Sequence, residues 1–172
     1  MNWKTRSLSF FSIVIVAGSM SSTHSAEPES LCSEEEVVYF SCKIERSQNY
    51  ASICAKDNVS PNAGYVQYRF GKNIGTAFRF PETEVAPNDF FHVQTINHLR
   101  DGIGKHLTFH NGAYTYVISN AVQPPEIGVF RDGKIVTTKS CQFDGDFSPI
   151  SSRADYGIKQ GEKSKLDSFD GS

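Results

Sequence analysis

Histidine is the residue type whose clustering in this chain most directly suggests chemistry. Four of the five histidines lie between positions 92 and 110: His92, His98, His106 and His110. Imidazole is a common metal ligand and titrates near neutral pH. On one extended strand, however, His106 and His110 are about 13 Å apart, which is too far for two ligands of one ion. A metal site would need several strands, with Asp89 or Asp101 as further ligands, so the pattern favours exposed or hydrogen-bonded histidines.

The motifs that accompany nucleophilic or metal-assisted catalysis are missing from the sequence. It contains no G-x-S-x-G, no H-E-x-x-H and no glycine loop followed by Lys and Ser or Thr. The glycines of residues 101–105 lack the loop length and the following helix of a phosphate site, so we expect a hairpin connection there. We predict no catalytic residue and no cofactor. The competing hypothesis is a small envelope hydrolase that uses His106 or His110.

The four cysteines are Cys32, Cys42, Cys54 and Cys141. An even number of cysteines in an exported chain usually forms disulfides, and without a C-x-x-C pair a zinc site is disfavoured. Four cysteines allow three pairings. Cys42 and Cys54 flank a turn near residues 46–49 at mirror positions, so we predict Cys42–Cys54 and, by elimination, Cys32–Cys141.

Aromatic and basic side chains form the remaining candidate for a binding surface. These residues are Tyr65, Tyr68, Arg69, Lys72, Tyr114 and Tyr116. Tyrosine and arginine are enriched at protein interfaces because they combine contact area with hydrogen bonding. The same residues also occur in the core and rim of an ordinary sheet, and that alternative stays open.

The first 26 residues have the order of a secretory signal peptide. Lys4 and Arg6 precede an apolar run at residues 8–17, and small or polar residues follow as far as Ala26. Ten helical residues rise only about 15 Å, half of a bilayer core, so a transmembrane anchor is disfavoured. We therefore expect a periplasmic or secreted protein.

Composition indicates a globular domain and argues against nucleic acid as a partner. The chain has 172 residues, 38% of them hydrophobic, with 17 Lys+Arg against 19 Asp+Glu. A formal net charge of −2 lacks the excess of basic residues that binding to a phosphate backbone requires.

Short runs rich in Val, Ile, Phe, Tyr and Thr, separated by Gly, Asn, Asp and Pro, predict antiparallel strands. We predict nine, at residues 37–44, 50–55, 65–70, 76–80, 91–97, 106–110, 113–119, 127–131 and 134–139. The dipeptides Asn111-Gly112 and Asp132-Gly133 predict two-residue type I′ hairpins. Alternation places Val66, Tyr68 and Phe70 on one face of their strand and Tyr65, Gln67 and Arg69 on the other.

Nine short strands with almost no helical periodicity predict an all-β fold, an antiparallel meander that forms a sandwich or a strongly curved sheet. We assign residues 1–26 to the signal peptide and residues 27–143 to one β-domain. Residues 144–172 are polar and charged, which predicts a flexible, disordered C-terminal tail.

Several segments together resemble a known group of proteins. They are residues 31–32, 40–42, 52–54, 64–72 and 111–114, followed by the late Cys141. This set is similar to uncharacterised small exported disulfide-bearing proteins of Gram-negative bacteria, over roughly residues 31–141, and implies no particular activity. Periplasmic inhibitors of c-type lysozyme are a fainter similarity. Their Ser-Gly-x-x-Tyr motif has Asn111 and Thr115 in the places of Ser and Tyr here.

The sequence therefore predicts a non-enzymatic exported binding protein. Its partner would be another protein of the cell envelope or a secreted one, as for an inhibitor or an immunity-type factor. Periplasmic metal binding by the histidine-rich segment is a further alternative to the hydrolase.

Overall fold

A computed structural model describes residues 30–98, 102–143 and 147–161, and these residues form two facing sheets. The first sheet has the strand order β10-β1-β2-β3-β4. Its strands are β1 (Val37–Lys43), β2 (Tyr50–Lys56), β3 (Tyr65–Gly71), β4 (Phe78–Phe80) and β10 (Phe147–Ser148). The second sheet has the order β11-β5-β6-β7-β8-β9. Its strands are β5 (Phe91–His98), β6 (Gly102–Asn111), β7 (Tyr114–Ser119), β8 (Glu126–Arg131), β9 (Lys134–Ser140) and β11 (Lys159–Gln160).

The predicted all-β sandwich is confirmed, and each of the nine predicted strands is present. Consecutive strands pair antiparallel within each sheet, as a meander requires. The main differences in length are β6, which begins four residues earlier than predicted, and β4, which begins two residues later.

The two predicted hairpins differ in turn type. Asp132 and Gly133 have φ values of 53° and 73°, as a type I′ turn requires. Asn111, however, pairs with Tyr114, so Gly112 and Ala113 are the central residues of the other turn. Only Gly112 has a positive φ there, at 59°, which is the pattern of type II′. The type I′ prediction at Asn111-Gly112 was therefore wrong by one residue.

The core lies between the inner faces of the sheets and is dominated by aromatic rings. Phe109 on β6 is fully buried and stacks on Tyr116 of β7 at 4.6 Å between centroids and 4° between planes. The ring of Phe80 also stacks on Phe109, with 5.2 Å between centroids, and the ring of Tyr68 approaches Phe109 with 4.9 Å between centroids. Rings from both sheets thus meet around Phe109, and the inner faces follow the predicted alternation.

Residues 147–161, which we call the C-terminal strap, run from the β1 edge of the first sheet to the β5 edge of the second. Strand β10 of the strap pairs with β1. The one-turn helix α1 (Ala154–Gly157) follows, and the strap ends as β11, which runs parallel to β5. Ile150, Ala154 and Ile158 are buried in the core. The predicted flexible tail is therefore wrong for residues 147–161, because three apolar side chains stabilise the segment on the sandwich. Residues 144–146 and 162–172 lie outside the described residues, as does the predicted signal peptide.

All four cysteines form two disulfides, as predicted, but both predicted pairings were wrong. The structure joins Cys32 to Cys54 and Cys42 to Cys141. The predicted pairing was wrong because the register places Cys42 opposite Ala51, three residues from Cys54. An odd separation along a strand puts Cys42 on the inner face and Cys54 on the outer face of the first sheet.

The bond between Cys42 and Cys141 closes one corner of the sandwich. On either side of Cys141, the Ser140 carbonyl accepts a hydrogen bond from the Glu45 N–H at 2.9 Å, and the Gln142 N–H donates to the Lys43 carbonyl at 2.8 Å. The end of β9 is thereby fixed to the end of β1. Among the described residues, no helix has the length and apolar character needed to cross a membrane.

Candidate binding surfaces

The six aromatic and basic residues predicted to form a binding surface do not come together on one surface. Tyr68 is 4% exposed and Arg69 3% exposed, so both lie inside the protein. Tyr116 belongs to the stack around Phe109. Lys72 and Tyr114 are exposed, but Lys72 follows β3 in the first sheet and Tyr114 begins β7 in the second.

Arg69 forms a buried ion pair on the outer face of the first sheet. Its guanidinium donates to both carboxylate oxygens of Glu36, at 2.6 and 2.8 Å, and to the Leu31 carbonyl at 2.8 Å. The Tyr65 hydroxyl donates to the same carboxylate at 2.6 Å. These contacts place Arg69 and Tyr65 in a structural network rather than at a surface that could receive a partner.

The pKa values in this network follow from burial and hydrogen bonding. Burial raises the pKa of Glu36, but hydrogen bonds from Arg69, Tyr65 and the Ser33 N–H outweigh it, so the pKa lies below its usual value. Burial and the hydrogen bond to Glu36 raise the pKa of Tyr65. Glu36 therefore stays ionised, and Tyr65 stays a donor, across the neutral range.

The segment before β1 covers this polar face. The Leu31 N–H donates to the Ser52 hydroxyl at 3.0 Å, and the Ser52 and Ser41 hydroxyls are 2.8 Å apart. The disulfide between Cys32 and Cys54 holds the segment in place. Although the alternation assigned Gln67 and Arg69 to the polar face correctly, that face is covered and is not exposed to solvent.

Strand β9 is a sheet edge that is open to solvent. Six of its seven residues are exposed, among them Ile135 at 56% and Val136 at 57%. Among the described residues β9 pairs only with β8 along its length, until Ser140 meets β1. Lys134 and Lys139 lie near its two ends. The edge thus combines unpaired backbone, two apolar side chains and flanking positive charge.

A cavity of about 400 Å³ opens at the end of the sandwich where β1 begins and β2 ends. Its floor is formed by Val37, Tyr39 and Ala55, which belong to the inner face of the first sheet. A β-bulge between Val38 and Phe40 adds Tyr39 to this inner face. The cavity therefore lies directly against the core at this end.

The loop between β2 and β3 forms one wall of this cavity, and its shape depends on Asn58. The Asn58 amide donates to the Ser60 and Ala63 carbonyls, both at 2.9 Å, and its oxygen accepts from the Tyr39 hydroxyl at 3.0 Å. Gly64 has a φ of 58°, and a Cβ there would lie 2.1 Å from the Lys56 carbonyl oxygen. These constraints fix the loop.

Helix α1 supplies the opposite wall through Arg153 and Tyr156. Gly157 allows the helix to approach, because a Cβ at that position would lie 2.0 Å from the Asn58 side-chain oxygen. Burial raises the pKa of Tyr39, and the positive charge of Arg153 acts in the opposite direction. The Arg153 guanidinium is therefore close enough to act on the floor of the cavity.

His92, His106 and His110 lie on the outer face of the second sheet. His92 on β5 is paired with Thr108, between His106 and His110 of β6. His106 is 2% exposed, and the Nδ1 atom of His110 is 2.9 Å from the Thr115 hydroxyl. Burial, Lys159 and His110 lower the pKa of His92. In the part of the chain that the structure describes, no three His, Cys, Asp or Glu side chains are grouped to hold a metal ion.

Sequence reasoning missed both the edge and the cavity for identifiable reasons. The strand at β9 was predicted, but its position at the edge depends on the order of strands in the sheet. Arg153 and Tyr156 lie in the segment that was predicted to be flexible. The sequence signal that could have indicated an ordered segment there was the spacing of Ile150, Tyr156 and Ile158 among otherwise polar residues.

No known family model, no curated protein and no solved structure matches this chain.

Proposed function

We propose that this protein is a non-enzymatic exported β-domain, periplasmic or secreted, that binds a protein partner by strand addition at β9. An inhibitor or an immunity-type factor of the cell envelope would act in this way. The observation that carries the proposal is the exposed edge at residues 134–139 with Ile135 and Val136 on it. Disulfides are typical of exported proteins and support the proposed compartment.

The hairpin geometry determines which backbone groups a partner would meet. In a two-residue hairpin the flanking residues, here Arg131 and Lys134, exchange both hydrogen bonds. The next pair, Phe130 and Ile135, does not, so the N–H and C=O of Ile135 point away from β8. An incoming strand would bond to these groups.

Charge on the edge determines the chemistry of the partner. Antiparallel pairing of two copies of β9 about its centre would put Lys134 of one copy opposite Lys139 of the other. Like charges directly opposite each other are destabilising. We therefore infer a different protein as partner, one that contributes an extended segment with carboxylates flanking β-branched or apolar residues.

The edge is fixed at both ends, and a β-bulge at Val136 interrupts its pairing with β8 between them. The type I′ turn at Asp132-Gly133 fixes one end, and the disulfide between Cys42 and Cys141 fixes the other. Preorganisation of this kind lowers the entropic cost of binding.

The test is site-specific photo-crosslinking in the cell envelope of the native host, followed by affinity measurements. A photoreactive residue at position 135 should give one discrete adduct. The same residue at position 74, an exposed isoleucine of the loop between β3 and β4, should give none. Mass spectrometry of the adduct should locate an acidic extended segment in the partner.

Two variants then separate strand addition from simple apolar contact. Ile135→Pro removes the outward N–H, and we expect at least about a tenfold loss of affinity for the crosslinked partner. Ile135→Thr keeps that N–H and should retain most of the affinity. Thermal unfolding checks that both variants fold. Equal affinity of the proline variant and the native protein would refute strand addition.

A further inference from the structure

We propose that the cavity at the end of the sandwich is a binding site for a small amphipathic carboxylate, with the apolar body in the cavity and the carboxylate on Arg153. The proposal concerns a different surface from the β9 edge and does not depend on it. A volume of about 400 Å³ falls in the range of small-molecule sites, about 300–1,000 Å³.

The interior of the cavity is suited to an apolar body. Val37, the ring of Tyr39 and Ala55 form the floor, and the Tyr39 hydroxyl is already satisfied by Asn58. The floor therefore presents carbon surface and no unpaired hydroxyl of Tyr39. Burial of such surface by a ligand is favourable at about 25 cal/mol per Å².

The rim of the cavity exposes apolar side chains that a ligand would cover. Val59 is 81% exposed and Tyr156 is 77% exposed, although both line the cavity. A ligand that extended from the floor to the rim would contact both side chains.

Among the described residues that line the cavity, Arg153 is the only arginine, and its guanidinium can bind an anion. Within the described residues, its side chain makes no ion pair or hydrogen bond, whereas its backbone N–H donates to the Ser151 hydroxyl. An arginine that binds a carboxylate with two parallel hydrogen bonds is a strong and specific contact.

Two carboxylates, Asp155 and Asp57, accompany Arg153 around the opening. Asp155 of α1 is paired with Lys105 at 2.6 Å. Asp57 lies on the rim, and its charge acts on Lys56, whose pKa is raised mainly by its hydrogen bond to Glu35 and in smaller part by Asp57. Lys56 is already paired with Glu35, so Asp57 keeps its negative charge at the opening. Selection of a carboxylate therefore depends on the two parallel hydrogen bonds that the Arg153 guanidinium can donate, which an ammonium group cannot accept and a hydroxyl cannot accept as a pair.

Octanoate, 1-octanol and octylammonium test the proposal, because they share one eight-carbon chain and differ in charge. Titrations followed by amide chemical shifts in the folded protein should show all shifts from octanoate around Val37, Asn58 and Tyr156. We expect octanoate to bind about tenfold more tightly than octanol and more tightly still than octylammonium. Equal affinities for the three probes would overturn the proposal.

Variants separate the charge from the cavity. Arg153→Gln should reduce octanoate affinity to that of octanol and leave octanol binding unchanged. Arg46→Gln is the matched control, because it removes one exposed guanidinium from the turn between β1 and β2, and it should change neither affinity. If Arg153→Gln and Arg46→Gln behave alike, Arg153 does not bind the carboxylate.

The apolar part of the site needs its own variants. Ala55→Leu should fill the floor and weaken both octanoate and octanol by at least about tenfold. Since this change is in the core, Val59→Glu provides a second test at an exposed position, where it should weaken octanoate more than octanol. Shifts that map instead to the cavity beside Lys43 and Gln48 would refute the assignment.

Discussion

At the scale of single residues, the informative contact is the ion pair between Arg69 and Glu36. The side chains are 3% and 1% exposed, so neither charge can be solvated if its partner is lost. Alternation alone places Arg69 on the polar face of β3. It does not reveal that residues 31–36 fold back over that face, because the fold-back depends on the disulfide between Cys32 and Cys54.

Loss of one partner from this pair should be strongly destabilising. We expect Arg69→Met to lower the free energy of unfolding by about 3–5 kcal/mol, because it leaves the Glu36 carboxylate buried without its cation. Arg79→Met is the control, since Arg79 lies opposite Arg69 on β4 and is exposed, and it should change stability by less than about 0.5 kcal/mol. Urea unfolding of both variants measures the difference.

The pH profile of stability provides the decisive check on that prediction. The carboxyl of Glu36 has a folded pKa below its ordinary value of 4.5, so the unfolded chain binds the proton first as pH falls. The contribution of Glu36 is therefore complete above pH 4.5 and is lost as the pH falls through the folded pKa. Glu36→Gln should flatten this acid limb. An unchanged acid limb in the variant would contradict the assignment.

At the scale of elements, the C-terminal strap shows how a polar segment can still carry part of the core. Its strands β10 and β11 have two residues each, so neither has a period that sequence analysis could detect. They are ordered by pairing with β1 and β5 and by burial of Ile158, which is 1% exposed.

Truncation of Ile158 should therefore destabilise the whole domain. We expect Ile158→Ala to lower the free energy of unfolding by about 2–5 kcal/mol, the range for a buried isoleucine. The neighbouring Lys159→Ala changes an exposed residue of β11 and should cost less than about 0.5 kcal/mol. If chemical denaturation finds the two variants equally stable, the strap does not pack as described.

The same scale explains how much the sequence could predict. Local patterns were sufficient for β1–β9 and for the turn at Asp132-Gly133, because propensity and turn chemistry act over a few residues. The division of the meander into two sheets and the course of the C-terminal strap were not predictable, so neither the free edge at Ile135 nor the cavity beside Arg153 could be located. The pairing of Cys42 depended on register, which the position of the turn between β1 and β2 sets.

At the scale of the whole molecule, the two disulfides have different tasks. Cys42 and Cys141 are 99 residues apart and join the two sheets at one corner. Cys32 and Cys54 are 22 residues apart and fix only the covering segment to the first sheet. Loss of the first bond should therefore affect the association of the sheets, and loss of the second should mainly affect the network around Glu36.

Removal of each bond in turn should separate these tasks. From loop length alone, replacement of Cys42 and Cys141 by serine should cost about 4.7 kcal/mol, and replacement of Cys32 and Cys54 about 3.4 kcal/mol. Thermal and denaturant unfolding measure both losses. Peptide mapping of unreduced protein should yield fragments that join Cys42 to Cys141. A fragment joining Cys42 to Cys54 would contradict the register of β1 on β2, and with it the corner that holds the two sheets together.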